Sequence, residues 1–144
     1  MARSWKYGIV LWFSLFCSSM VSSQHLIGED KGEVKKLMDE QRKDLFIDES
    51  SKNTVYNTLK YVDRMNRQTL LLVFSEQDIC QYSKWMCDYS MMNKVIAELN
   101  SQYEQSATDT WRYREKGKAY IVTLTTGDWF FTITTRKEKD IKDS

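Results

Sequence analysis

Between Thr110 and Arg136 large apolar residues fall on every second position. Trp111 and Tyr113, then Tyr120, Val122 and Leu124, then Trp129, Phe131 and Ile133 make one set. Thr110, Arg112 and Arg114, then Ile121, Thr123 and Thr125, then Phe130, Thr132 and Thr134 make the other. A period of two puts each set on one face of a pleated strand. The stretch therefore predicts three strands with one apolar face and one face rich in Thr and Arg, on which Ile121 and Phe130 are the exceptions. The alternation breaks at Lys116-Gly117-Lys118 and at Gly127-Asp128, where glycine marks hairpin turns. An antiparallel sheet with one greasy face needs a second layer to cover it.

Two helices are the natural cover. Val95, Ile96, Leu99 and Tyr103 recur at helical intervals after Met91 and Met92, with Ser90 as the cap. Earlier, Asp30-Lys31-Gly32-Glu33 has the form of a capping box, and Val34, Leu37 and Met38 follow on one helical face. This predicts a helix from Lys31 to Arg42. Leu45-Phe46-Ile47 suits a short strand and Asp48 to Asn53 a polar loop. A second meander follows. Leu59 and Tyr61 flank Lys60, Asp63 to Arg67 makes a turn, and Thr69 to Phe74 is continuously apolar, as in a strand covered on both faces. Ile79 to Tyr89 reads as a long closing strand, with the start of a helix as the alternative.

The two halves resemble each other. Glu33 to Met38 matches Lys94 to Leu99 in apolar spacing, and Thr58-Leu59-Lys60-Tyr61 matches Thr110-Trp111-Arg112-Tyr113. The expectation is an α+β fold of two α-β-β-β units, residues 24–89 and 90–137. Their strands form an antiparallel sheet with both helices packed on one face, and residues 138–144 form a polar tail.

Composition refines this. The 144-residue chain is 42% hydrophobic and 13% aromatic, enough for a packed core, and it has no proline. Charged residues make up 28% with both signs mixed, which is not a disordered composition. A net charge of +1 and the lack of any Lys/Arg run give no nucleic-acid footprint. At the N-terminus, Arg3 and Lys6 precede the apolar run Ile9 to Met20, and Val21-Ser22-Ser23 supplies small residues. This reads as a signal peptide over residues 1–23, with the mature chain starting at Gln24 in the periplasm or outside the cell. An uncleaved anchor is the competing reading, against which the run is short. Bulky Phe16 before Cys17 argues against a lipoprotein signal.

Candidate chemistry is sparse. His25 is the chain's one histidine, without Cys or carboxylate partners at metal-ligand spacing, so no metal and no cofactor is expected. No phosphate loop, nucleophile elbow or zinc-protease signature occurs. Cys80 and Cys87 are the cysteines after the signal segment. On one regular strand they lie on opposite faces, about 20 Å or more apart, too far for a disulfide. Two separate, buried thiols are favoured, while a bridge would need the chain to turn between them. A thiol-dependent enzyme using Cys80 or Cys87 is the alternative to a non-enzymatic protein. The polar face offers a docking surface at Ile121, Thr123, Phe130 and Thr132, where apolar groups interrupt a threonine ladder.

By pattern over nearly all of the mature chain, with Gly32 to Met38 leading to Leu59-Lys60-Tyr61 and Val95 to Leu99 leading to Trp111-Arg112-Tyr113, the sequence resembles the β-lactamase inhibitor protein fold. It also resembles the small SmpA/OmlA-type outer-membrane assembly lipoproteins, and it looks like small exported proteins of Bacteroidetes. These resemblances imply a Gram-negative envelope setting. They transfer no functional residue, because the lipoprotein signal and the inhibitor's disulfide loops are not evident. The expected role is an exported binding or accessory protein that meets a protein or envelope component on its open sheet face. It would be peripheral to the membrane at most, would not bind nucleic acid, and its oligomeric state is open.

Overall fold

The computed structural model describes residues 26–50 and 55–139. The expected signal segment with Cys17, the histidine at 25, residues 51–53 of the expected polar loop and residues 140–144 of the expected tail lie outside the described residues.

Helix α1 (Lys31–Gln41) starts where the capping pattern places it. The Asp30 carboxylate accepts from the Glu33 backbone N–H at 3.0 Å, satisfying one of the donors a helix start leaves open. Strands β1 (Phe46–Ile47), β2 (Thr58–Val62), β3 (Gln68–Phe74) and β4 (Cys80–Asp88) follow. A short 3₁₀ turn, Tyr89–Met91, leads into helix α2 (Met92–Gln102). The Asp88 carboxylate accepts from Ser90 N at 2.9 Å and so caps this turn. Ser90, expected to cap the second helix, lies inside the turn, and α2 starts from Met91 without a side-chain cap. Then come β5 (Glu104–Ala107), β6 (Thr110–Glu115), β7 (Lys118–Thr126) and β8 (Phe130–Lys137).

All eight strands form one antiparallel sheet in the order β1-β2-β3-β4-β8-β7-β6-β5. The fold is therefore α+β, and the last strand of each half, β4 and β8, meet at the centre. One face follows directly from the register. Leu59, Leu72, Ser83, Thr135, Val122 and Trp111 lie opposite one another across six strands. Val34 and Met38 of α1 pack with Leu59 and Leu72, and Val95 and Leu99 of α2 pack with Trp111 and Val122. Both helices thus cover the same face. Trp85 and Tyr113 touch both apolar clusters. The rings of Tyr103, Tyr113 and Tyr120 stack in series at 4.6 and 4.9 Å, joining the residue that ends α2 to β6 and β7.

Three details differ from the expectation. Strand β5 was not foreseen: its burial pattern is exposed throughout, so it carries no apolar alternation. Trp129 does not join Phe131 and Ile133 on the greasy face. It sits in the β7–β8 turn, which Gly127 N closes onto Phe130 O at 2.9 Å, and it is 85% exposed. Strand β3 is covered on one face, with Leu70, Leu72 and Phe74 buried while Leu71 and Val73 are half-buried on the other. The Lys116-Gly117 hairpin is as expected. Both residues have positive φ, 50° and 75°, in a two-residue turn that matches strand twist.

The α1 cap provides a simple test. Asp30→Ala removes the acceptor for Glu33 N, and the unfolding free energy falls by about 1 kcal/mol. Urea titration followed by circular dichroism checks it.

Candidate functional site

Ile121 and Thr123 sit on β7, and Phe130 and Thr132 on the adjacent β8. The register places all four on the face away from the helices. Thr123 lies opposite Thr134, Thr132 opposite Thr125 and Met86, and Ile121 opposite Arg136 and Arg112. Ile121, Thr123 and Thr132 are half-buried by their neighbours, and Phe130 is 42% exposed. No described helix covers this face, as antiparallel sheets allow.

The β4–β8 pairing brings in residues the sequence reading did not connect to the site. Across the sheet, one row runs Lys60, Leu71, Lys84, Thr134, Thr123, Thr110. The next runs Thr58, Val73, Tyr82, Arg136, Ile121, Arg112, Glu104. The open face therefore mixes hydroxyls and aliphatic groups with Lys60, Lys84, Arg112, Arg114 and Arg136, against Asp88 and Glu104. Lys60 is matched by Asp48 at 3.0 Å, and Arg112 by Glu138 at 3.1 Å. The Ser50 hydroxyl and then the Lys60 ammonium hold the Asp48 carboxyl down at about 2, so it stays ionised at any ordinary pH. Lys84 and Arg136, on the central strands, make no salt bridge among the described residues.

The cysteines lie on the opposite face. Strands β3 and β4 slip register, with Val73 opposite Tyr82 but Phe74 opposite Cys80, which leaves Gln81 as an extra residue. This bulge returns Cys80 to the covered face that Cys87 also occupies, so they do not lie on opposite faces. Both are free and buried, and burial pushes each thiol up to about 12. A thiol so hard to ionise is a poor nucleophile.

A shallow cavity of about 90 Å³ lies between the segment before α1 and the β6–β7 turn, lined in part by Gly28, Glu29, Glu115, Lys116 and Tyr120. Substrate pockets usually run from about 300 Å³ upward. Among the described residues no group of His, Cys, Asp and Glu is arranged to hold a metal ion. The chain matches no protein-family model, no curated protein and no solved structure, so the geometry of the open face carries the functional reading.

Proposed function

We propose that the protein is an exported, non-enzymatic binding or accessory protein of the cell envelope. It docks a protein partner or envelope component on the open sheet face around Ile121, Thr123, Phe130 and Thr132. The observation that carries this reading is the distribution of cover. Both helices pack on one side of the sheet, while Leu71, Val73, Ile121 and Phe130 remain on the other among threonines and cations. Such a surface offers apolar contact and hydrogen bonding together, as interfaces do. The competing thiol-enzyme reading is weakened by the burial of Cys80 and Cys87.

An internal duplication fits the same reading. Under it, Val34 and Met38 correspond to Val95 and Leu99, Leu59 to Trp111, Leu72 to Val122, and Ser83 to Thr135. Ser83 and Thr135 are the buried polar residues of the sheet centre and lie opposite each other. The proposed two-fold axis would pass through that pair, and the docking face would join equivalent strands from both halves.

The test is partner capture by cross-linking and pull-down from the native envelope, with mass spectrometry of partner and N-terminus. The Phe130→Ala/Ile121→Ala variant loses capture while its urea midpoint stays within reach of the parent's. Undiminished capture sinks the assignment of this face.

A further inference from the structure

We infer that the partner presents an acidic, extended polypeptide segment, and that this segment crosses the open face over Lys60, Lys84, Arg136 and Arg112. The inference rests on the docking reading above and adds the chemistry of what docks.

The register sets the spacing of these cations. Lys60 and Lys84 are two strands apart in one row, with Leu71 between them. Arg136 and Arg112 are two strands apart in the next row, with Ile121 between them. At the usual separation of hydrogen-bonded strands each pair spans about 10 Å. Lys84 and Arg136 are diagonal neighbours across β4 and β8, since Lys84 lies opposite Thr134. Such neighbours are about 7–8 Å apart. A zigzag of cations thus crosses the sheet at right angles to its strands; its outer members, Lys60 and Arg112, are bridged to Asp48 and Glu138, and Lys84 and Arg136 at its centre carry the open charge. A chain in the polyproline II conformation has three residues per turn and advances about 3.1 Å per residue, so carboxylates on every third residue share one side and match this spacing.

Charge placement points to an acidic partner. Cross-strand neighbours of opposite charge stabilise a sheet, and like charges in reach of each other cost stability. Yet Lys84 faces Leu71 and Thr134, Arg136 faces Tyr82 and Ile121, and the two cations are in reach of each other. Among the described residues no carboxylate forms a salt bridge with either one. A carboxylate between them would relieve the repulsion, with the threonine hydroxyls at hand as donors.

Other occupants fit less well. A second copy docked face to face about a two-fold axis would set cations against cations. A flat bilayer would meet only part of the strip, because each strand is rotated by about 20–25° from its neighbour. Nucleic acid would meet a narrow strip on a chain whose net charge is only +1.

The experiment uses the mature chain and a fluorescein-labelled peptide of repeated Glu-Gly-Ser, with the Gln-Gly-Ser peptide as control. Anisotropy at low salt should show the Glu peptide binding and the Gln peptide not binding. Added salt should weaken the complex, because the charges are exposed. Lys84→Glu/Arg136→Glu should weaken it about tenfold or more. Lys94→Glu, an exposed charge on α2, should leave it unchanged. Unaltered urea midpoints exclude unfolding as the cause. Equal binding of the Gln peptide overturns the inference, as does an equal loss in Lys94→Glu. So does binding of a heparin fragment, polyuridylate or phosphatidylglycerol vesicles in place of the peptide. If the Glu peptide fails but native capture still depends on Phe130 and Ile121, the docking face stands and the acidic assignment falls. If both fail, the docking face falls as well.

Discussion

Trp111→Ala lowers the unfolding free energy by about 3–5 kcal/mol, the usual cost of removing a buried tryptophan or phenylalanine ring. Trp111 is 1% exposed and lies on the covered face among Val95, Leu99, Val122 and Leu124. It is therefore part of the seam between α2 and the sheet. Its indole N–H donates to the Asn100 side-chain oxygen at 2.8 Å, so the ring is oriented as well as buried. Alanine leaves a cavity there that α2 can fill only by shifting on the sheet. Domains of this kind are stable by roughly 5–15 kcal/mol, so the variant spends a large share of that margin. Chemical denaturation read by far-UV circular dichroism measures it. Trp111→Phe keeps most of the apolar volume and loses less, since Asn100 is exposed and its amide can return to water. A loss below about 1 kcal/mol for the alanine variant would mean that this seam does not hold the fold together.

Trp111 was also among the easiest residues to place from sequence. Its alternation with Thr110 and Arg112 predicted its face, and the same rule placed Tyr120, Val122, Leu124, Phe131 and Ile133. The rule failed where the strand ended. Trp129 keeps the period but lies beyond the ladder, in a turn closed by Gly127 and Phe130. Continuous apolarity in Thr69–Phe74 suggested cover on both faces. Leu71 and Val73 instead shelter among neighbouring side chains on the open side. Strand β5 is held by backbone pairing to β6 and has no buried side chain to mark it. The bulge at Gln81 has no signal in the local pattern, and it alone moved Cys80 to the covered face.

The candidate site divides the same way. The common face of Ile121, Thr123, Phe130 and Thr132 follows from period two, because each strand's alternation is local. That Lys84 lies diagonal to Arg136 depends on β4 pairing with β8 across about fifty residues of chain. Nothing in either strand specifies that pairing by itself. The pairing gives β4 and β8 each a partner on the side that would otherwise be an exposed edge. Charge clusters made this way appear only once the strand order is known.

Native Cys80 and Cys87 should resist iodoacetamide at pH 8, and urea should make both reactive. Thiolate is the reacting species, and burial raises each thiol from its ordinary 9.0 to about 12. That shift alone cuts the thiolate population about a thousandfold, before any steric exclusion. Rapid labelling of the native protein would restore the thiol-enzyme reading. The same shift fixes the sign of a pH effect. The folded pKa lies above the unfolded one, so folding holds these protons more tightly. Their contribution is whole below about pH 9 and decays as pH climbs toward about 12. The urea midpoint should therefore decline from pH 9 upward. Burial also raises the Tyr61, Tyr113 and Tyr120 hydroxyls above their ordinary 10.0, and they add to the decline at higher pH. Cys80→Ala/Cys87→Ala separates the two sources: it removes the limb that begins near pH 9 and keeps the tyrosine limb above it. If the early limb survives in that variant, the thiols are not its cause, and their burial is looser than the packing of β4 against the helices implies.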